Sequence, residues 1–183
     1  MHINKTLKFL LALAVAFLLM VAFRALAFTV YTIDGQGLSP LFQEGDRVLV
    51  NRWSYGLRVG GEKSLFNYGR ICRQPVEKGD IVVFEDPSDD RRDHILIGRC
   101  VGVPGDTISL NGRLMVVPGL KDCADADYYW IESIGQGNPI DSRQLGFISE
   151  RLIIGRACSI VYSHDPRQSL LKGWRTKRFF LPL

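Results

Sequence analysis

The chain of 183 residues is 46% hydrophobic and 23% charged, a composition that fits one packed domain and argues against disorder, collagen and coiled coil. Its net charge of +4 is unevenly spread: residues 1–33 carry +3, residues 167–183 carry +5, and the body between them carries −4. An acidic body argues against a nucleic-acid binder, whereas basic ends indicate contact with anionic lipid.

The most apolar segment lies near the N-terminus. The run Phe9–Phe23 contains no charged residue, and as a helix it reaches roughly 22 Å, less than the hydrocarbon thickness of about 30 Å. Extended to Phe28, it crosses a bilayer if the long side chain of Arg24 reaches the outer headgroups. We therefore predict a transmembrane signal-anchor over residues 9–28.

Two basic residues set the expected orientation of this anchor. Lys5 and Lys8 precede the apolar run, which predicts that residues 1–8 are cytoplasmic in a single-pass protein of the cytoplasmic membrane. The body then lies outside, in a periplasmic or extracellular position. Ala25-Leu26-Ala27 also fits the small-x-small rule of a cleaved signal peptide, so both a retained anchor and a removed leader stay open.

Beyond residue 34 the sequence changes to short β-type runs bounded by Gly, Pro, Asp and Asn. Asn111-Gly112 lies between two apolar runs and is the strongest hairpin signal in the chain. The sequence after residue 34 contains no amphipathic helix of ordinary length, which predicts one mainly β, antiparallel domain over residues 34–166. The predicted strands fall within 46–53, 80–86, 94–103, 106–117 and 152–163.

Four cysteines fall in this exported part, with spacings that match no metal site. Cys100 and Cys158 lie in β-like runs and are predicted to be small buried thiols. A disulfide bridge between Cys72 and Cys123 is possible, and four cysteines allow three pairing patterns. The pairing stays open at this stage.

The C-terminal segment, residues 167–183, interleaves Lys and Arg with Trp174, Phe179 and Phe180. Aromatic rings at headgroup level and cations that reach anionic lipid are typical of an interfacial contact. A frayed terminus is the simpler alternative.

Several short motifs follow one another in a fixed order over residues 24–160. The motifs are Arg24-x-x-x-Phe28, Gly37-Leu38-Ser39-Pro40, Gly45-Asp46-Arg47-Val48-Leu49-Val50, Lys78-Gly79-Asp80, Arg99-Cys100-Val101-Gly102-Val103-Pro104-Gly105-Asp106 and Asp141-Ser142-Arg143-x-x-Gly146. Together they resemble the type I signal peptidases, serine peptidase family S26. The resemblance implies a β-rich fold tethered to the outer face of a membrane, with a shallow cleft for the extended end of a signal peptide, and no cofactor.

The resemblance also implies a Ser/Lys dyad, in which a desolvated neutral lysine takes the proton of the attacking serine. In this chain the nucleophile position is Gly37 and the general-base position is Gly98. The hydroxyl that assists the oxyanion hole corresponds to Gly35, and the serine that orients the lysine corresponds to Pro139. We therefore expect a family member without the dyad.

The other motif residues are predicted to be structural. Glycines suit turns or close strand contacts, Pro104 fixes a turn, and Asp141 and Arg143 are spaced for local hydrogen bonds or an ion pair in the cleft wall. The full set is Gly45, Asp46, Gly79, Asp80, Gly102, Pro104, Gly105, Asp106, Asp141, Ser142, Arg143 and Gly146.

Two residues are candidates to replace the missing groups. Ser39 lies two positions from Gly37 and shares its face on an extended chain, although Pro40 restricts the backbone there. His94 is the best candidate base, against the simpler interpretation of a strand-end histidine. The three lysines of the body, Lys63, Lys78 and Lys121, are predicted to be solvated.

We therefore favour a non-catalytic family member with a cleft roomier than that of an active enzyme. It is expected to hold an extended signal-peptide-like or exported precursor segment by strand addition without cutting it. Expected partners are membrane lipid, that peptide, or an active signal peptidase, with neither nucleic acid nor metal. The alternatives are an active signal peptidase that uses Ser39 and a purely structural membrane-associated β domain. The predicted cleft residues are Gly35, Gly37, Leu38, Ser39, Pro40, Gly98 and Arg99.

Overall fold

The computed structural model describes residues 5–60, 68–89, 94–110, 112–122, 125–135, 140–169 and 171–183. The chain begins with helix α1, Lys5–Ala27, which is roughly 34 Å long at about 1.5 Å per residue. Its first 18 residues have a mean hydropathy of 2.1, and among the described residues it is the one helix long and apolar enough to cross a membrane. Phe28, predicted as the end of the anchor, is instead the first strand residue.

Most of the remaining structure is β. The strands are β1 Phe28–Thr32, β2 Asp46–Asn51, β3 Leu57–Val59, β4 Gly69–Ile71, β5 Ile81–Glu85, β6 Ile95–Gly102, β7 Thr107–Leu110, β8 Arg113–Val116, β9 Tyr128–Glu132, β10 Ile148–Ser149, β11 Ile153–Ser163 and β12 Leu181–Pro182. A short helix α2, Ser142–Leu145, and two 3-10 turns, Glu150–Leu152 and Thr176–Arg178, lie between them. The sheet residues therefore extend beyond the predicted domain bounds of 34–166 at both ends.

Eight strands of the described chain form one antiparallel sheet in the order β1-β2-β11-β5-β6-β9-β10, with β12 also paired to β11. The pairs β3-β4 and β7-β8 form separate two-stranded ribbons. Register shifts in β11 between Ala157 and Ser159, and between Ile160 and Tyr162, bend this strand and increase its twist. The prediction of a mainly β, antiparallel fold is confirmed.

The five predicted runs correspond to β2, β5, β6, β7-β8 and β11. The predicted hairpin is present, since Leu110 pairs with Arg113, although Asn111 itself lies outside the described residues. Strand β9 was not predicted from the sequence. Its residues Tyr129, Trp130 and Ile131 are all buried, so the strand shows no alternation of apolar and polar residues.

The sheet carries a separate hydrophobic core on each face. Along β5, Val83 pairs with Ile97 on one face and Val82 pairs with Gly98 on the other. The first core contains Ile33, Phe42, Val48, Val50, Ile81, Val83, Ile154, Ala157 and Ile160. The second core contains Tyr55, Val76, Val82, Phe84, Cys100, Tyr129, Ile131, Ile148 and Ile153.

Three Gly-Asp pairs form the same kind of turn ahead of or between strands. In each turn the aspartate Oδ2 accepts a hydrogen bond from the backbone N–H three residues earlier, while its own N–H donates to the carbonyl of that same residue. The preceding glycines have φ of 89°, 92° and 89°, a conformation that favours glycine. The pairs are Gly45-Asp46, Gly79-Asp80 and Gly105-Asp106.

Each of these aspartates also meets a cation. Asp46 is fully buried and bonds Arg178, Asp80 lies 3.3 Å from the guanidinium of Arg156, and Asp106 lies 2.9 Å from the ammonium of Lys78. Lys78 was predicted to be solvated, and its side chain is 56% exposed, yet it is ion-paired. The backbone N–H of Val103 and the ammonium of Lys78 hold the pKa of Asp106 below its ordinary value.

The C-terminal segment folds back onto the sheet. Arg178 Nε lies 3.1 Å from Asp46 Oδ1, and Arg175 Nη1 donates to the carbonyl oxygen of Glu44 at 2.9 Å. The rings of Phe179 and Phe180 remain exposed. A frayed terminus is therefore wrong for residues 171–183, while the contact of this segment with lipid stays a prediction.

The described cysteines are free thiols. Cys100 is 1% exposed in the second core, and burial raises the pKa of its thiol to about 12, so it stays protonated. Cys158 is half-buried and not fully enclosed as predicted. Cys72 is exposed and free, and Cys123 lies outside the described residues.

Candidate functional site

A groove of about 670 Å³ opens on the first-core face of the sheet. One wall is formed by residues 30–34, in β1 and just after it, and the facing wall by residues 94–97 at the start of β6. Val48, Val50 and Val83 of the first core form its floor. The groove is therefore apolar at its base and is bounded by two lengths of extended chain.

Both walls present unpaired strand edges. β1 pairs with β2 alone among the described strands, and β6 pairs with β9 only from Arg99 onward. Consecutive residues line the groove on both sides although their side chains alternate between the two faces, so the walls include backbone atoms and not only one row of side chains. Backbone N–H and C=O groups on these two edges, which pair with no other described strand, can pair with an added strand.

The segment that contains Gly37 closes the groove at one side. Gly37 and Leu38 line it, Leu38 packs against the first core, and Phe42 anchors the following turn with a fully buried ring. Gly135 lies directly against this segment. A Cβ at Gly135 would lie 1.9 Å from the carbonyl oxygen of Gly37 and 2.6 Å from Leu38 Cα, so only glycine allows this approach.

Gly98 lies on the opposite face of β6 from the groove. It is buried beside the second core, and a Cβ built on it would lie 2.5 Å from Ile131 Cγ2 and 2.8 Å from the Glu132 carbonyl oxygen. Its neighbour Ile97 lines the groove instead, because successive residues of a strand face opposite sides. Any side chain at position 98 therefore requires movement of β9.

The predicted cleft residues are thus only partly brought together. Gly37 and Leu38 line the groove, whereas the exposed Gly35, Ser39 and Pro40 and the strand residues Gly98 and Arg99 do not. Gly98 was expected to form part of the cleft floor, but strand alternation turns it to the opposite face of β6. Pro139 lies outside the described residues.

The candidate replacement groups are separated in the same way. His94 lines the groove with a side chain that is 70% exposed and an Nδ1 atom 3.7 Å from Asp86 Oδ2. Ser39 is exposed and does not line the groove. Lys78 is held by Asp106, Lys121 is exposed, and Lys63 lies outside the described residues.

The buried carboxylate of Asp141 stabilises the chain next to Ile140, which lines the groove. Asp141 is 3% exposed and caps α2, where its Oδ1 accepts from the Arg143 backbone N–H at 2.9 Å. Its Oδ2 accepts from Arg143 Nη2 at 2.7 Å and from the Ser133 backbone N–H at 3.1 Å. Ser142 Oγ accepts from the Ile131 backbone N–H at 2.9 Å, which ties α2 to β9. These contacts match the local bonding predicted for this motif.

This bonding predicts a pH-dependent stability. Burial alone would raise the pKa of Asp141, but hydrogen bonds from Arg143 and Ser133 hold its pKa below its ordinary value of 3.8. The lowered pKa means that its stabilisation is present above about pH 4 and is lost as pH falls through the folded-state pKa. We expect Asp141→Ala to cost about 2–3 kcal/mol at pH 7, with a smaller difference from the parent chain below pH 4.

Chemical denaturation of both chains at several pH values tests this expectation. Asp125 is a suitable control, because it is exposed and its carboxylate accepts from Tyr128 Oη at 3.1 Å. Asp125→Ala is expected to cost less than about 0.5 kcal/mol at every pH. An Asp141→Ala cost that stays constant down to pH 2 would contradict the proposed role of the ionised carboxylate.

Some residues at the groove were missed by sequence reasoning. Gly135 belongs to a glycine-containing loop, and nothing in the pattern indicates which glycine meets the Gly37 segment. Arg52 and Arg58 lie in and after β-type runs, and they line a second, polar pocket that adjoins the groove. No spacing signal connects these two arginines to the Gly37 motif.

The family model described as signal peptidase, peptidase S26, matches residues 6–124. The chain belongs to this family. Signal peptidase IB of Staphylococcus aureus is 31% identical over 118 residues, which is 64% of this chain and 51% of that protein. Signal peptidase I V of Bacillus subtilis is 28% identical over 131 residues, 71% of this chain and 65% of that protein.

The chain spans about half the length of the Staphylococcus relatives it matches. Within the signal peptidase family match lie the Gly37 segment, both groove walls and the three Gly-Asp turns. The Asp141 network, β11 and the C-terminal segment lie beyond residue 124. Family membership is therefore carried by residues 6–124, which build most of the groove.

Proposed function

We propose that this signal peptidase family protein is non-catalytic and binds an extended segment of an exported precursor in its groove. The main support for this proposal is that both dyad positions, 37 and 98, are glycine. Position 37 offers no hydroxyl, and position 98 offers neither an amine nor space for one, since Ile131 and the Glu132 carbonyl fill the place of its Cβ. Acyl transfer by the family mechanism needs a nucleophile and a base.

Binding without cleavage is supported by the groove walls. An extended peptide can form main-chain hydrogen bonds with β1 and with the first half of β6, while alternate side chains enter the apolar floor. These main-chain bonds do not depend on the peptide sequence, and the floor selects small or apolar side chains. This arrangement fits a segment like the end of a signal peptide.

The position of the groove supports a ligand that emerges from a membrane. α1 ends at Ala27 and β1 starts at Phe28, so no linker separates the apolar helix from the groove wall. With Lys5 and Lys8 on the cytoplasmic side, the groove lies on the outer face of the cytoplasmic membrane. The bound protein is then an exported precursor, presented to an active signal peptidase or to an assembly partner.

The rival proposal is a working peptidase with a shifted site. His94 favours it, because this residue lines the groove and its Nδ1 atom lies 3.7 Å from Asp86 Oδ2. The exposed position of Ser39 outside the groove lining argues against it. A purely structural β domain is a third candidate, and it predicts no peptide capture.

Site-specific photo-crosslinking tests the binding role. With the full chain in neutral detergent, a photoreactive side chain in place of Leu38 should crosslink to a synthetic signal-peptide segment, with a yield that saturates as the peptide concentration rises. The same group at Leu114, which is 76% exposed on β8 away from the groove, is the matched control and should capture little. Equal capture at both positions, or none, would exclude a peptide-binding groove and favour the structural domain.

A further inference from the structure

A polar pocket of about 360 Å³ adjoins the apolar groove. It is lined by Thr29 and Tyr31 of β1, by Arg52, Arg58 and Glu85, and by Ile95 at the start of β6. Tyr31 and Ile95 also line the groove, so the two spaces are continuous along β1. A peptide that follows the free edge of β1 therefore passes from one into the other.

Among the described residues that line this pocket, cationic side chains outnumber carboxylates two to one. Arg58 is paired with Glu85 through two contacts, of 2.6 Å and 3.2 Å, and both side chains are largely buried. Arg52 is named in none of the ion pairs found within the described ranges. Two guanidinium groups thus accompany one carboxylate in the described lining, which favours an anionic group on a ligand.

Other observations position Arg52 at the end of the groove. Its backbone N–H donates to the carbonyl oxygen of Ala27 at 2.8 Å, which fixes it beside the end of α1. Burial raises the pKa of the Tyr31 hydroxyl, and the positive charge of Arg52 opposes that rise, as expected for neighbouring groups. Arg52 and Tyr31 line the same pocket, and Tyr31 borders both spaces.

We propose that this pocket is a second subsite of the groove, in which Arg52 and Tyr31 bind the carboxylate of an aspartate or glutamate in the bound peptide. The inference rests on the proposed binding function and adds a sequence preference to it. Thr29 and Tyr31 of β1 and Ile33 just after it have the same parity along the extended chain, so pocket and groove receive alternate side chains of one bound strand. The acidic residue lies about four positions from the peptide residue beside Ile33.

The test compares aspartate and asparagine peptides. Two extended peptides carry aspartate four residues before or after the same alanine, and each has an asparagine counterpart, so either strand direction is covered. Binding to the full chain in neutral detergent is measured by fluorescence anisotropy. We expect one aspartate peptide to bind about five- to tenfold more tightly than its asparagine counterpart.

Two variants assign this preference to the pocket. Arg52→Gln should remove the aspartate preference and leave the asparagine peptide unaffected. Arg47→Gln is the matched control, because Arg47 lies on β2 with its guanidinium 6.0 Å from the Tyr162 ring, and it should keep the preference. A preference that persists in Arg52→Gln would overturn the proposal.

The remaining outcomes separate this inference from the proposed function. Equal binding of all four peptides keeps the binding function and overturns the acidic subsite. Failure of every peptide to bind overturns both. If Arg52→Gln instead lowers affinity for a short-chain phosphatidate and leaves the peptide ratios unchanged, the pocket binds lipid phosphate and the proposal is wrong.

Discussion

Replacing Arg178 with alanine is expected to lower the free energy of unfolding by about 3–5 kcal/mol, because it leaves a buried carboxylate without its charge partner. Asp46 is fully buried, and the guanidinium of Arg178 bonds both of its oxygens as well as the carbonyl of Leu41. The loss corresponds to a fall in Tm of roughly 10 °C, measured by thermal unfolding of the full chain in detergent.

The matched control is another C-terminal arginine. Arg167 reaches Glu44 at 3.3 Å with a side chain that is 69% exposed, so Arg167→Ala should cost less than about 1 kcal/mol. The double variant Asp46→Asn with Arg178→Met should recover part of the loss, since no unpaired charge remains buried. Similar Tm values for Arg178→Ala and Arg167→Ala would contradict the structural role assigned to the C-terminal segment.

Arg178 also connects stability to the groove. Its contact with the Leu41 carbonyl holds the turn that follows Gly37 and Leu38, and Asp46 accepts from the backbone N–H of Gln43 at 2.8 Å in the same turn. Loss of the arginine should therefore weaken peptide binding even at temperatures where the chain stays folded. The C-terminal segment therefore stabilises the turn at one side of the groove.

The second large effect is expected at Gly135. A methyl group in Gly135→Ala would overlap the Gly37 carbonyl oxygen at 1.9 Å, so the Gly37-Leu38 segment has to move. We expect a stability loss of about 1–3 kcal/mol from overpacking, together with about tenfold weaker binding of the signal-peptide segment in fluorescence anisotropy. The loss of affinity follows from displacement of one side of the groove.

Gly69→Ala controls for a general glycine effect. Gly69 lies in β4, and a Cβ there meets no atom within 4 Å, so this variant should bind peptide like the parent chain and be equally or slightly more stable. Unchanged affinity in Gly135→Ala would mean that the Gly37 segment does not contact the peptide, and the groove would have to be placed elsewhere.

The strands that build the groove were readable from the sequence where their apolar residues form clear runs. β2, β5, β6 and β11 contain such runs between turn residues, and the Gly-Asp pairs mark where turns adjoin them. β3, β4, β10 and β12 have two or three residues each, too few for any periodicity to show. Their pairing is decided by contacts distant in sequence.

The site was predictable only in part, for a geometric reason. The resemblance placed Gly37 and Gly98 together, but strand alternation turns position 98 toward the second core and leaves Ile97 in the groove wall. The sequence alone does not show which face of β6 a given residue occupies, because this depends on the register of β5 and β6. The Arg178-Asp46 pair joins residues 132 positions apart, which no local pattern can indicate.

A cleavage assay of the full chain in detergent with a synthetic signal peptide, with mass spectrometry to detect products, distinguishes a binding protein from a peptidase. We expect the peptide to bind and to be recovered intact, because Gly37 supplies no nucleophile and the space beside Gly98 is filled. Turnover that is abolished by Ser39→Ala or His94→Ala would contradict this expectation and establish a working peptidase with a shifted site.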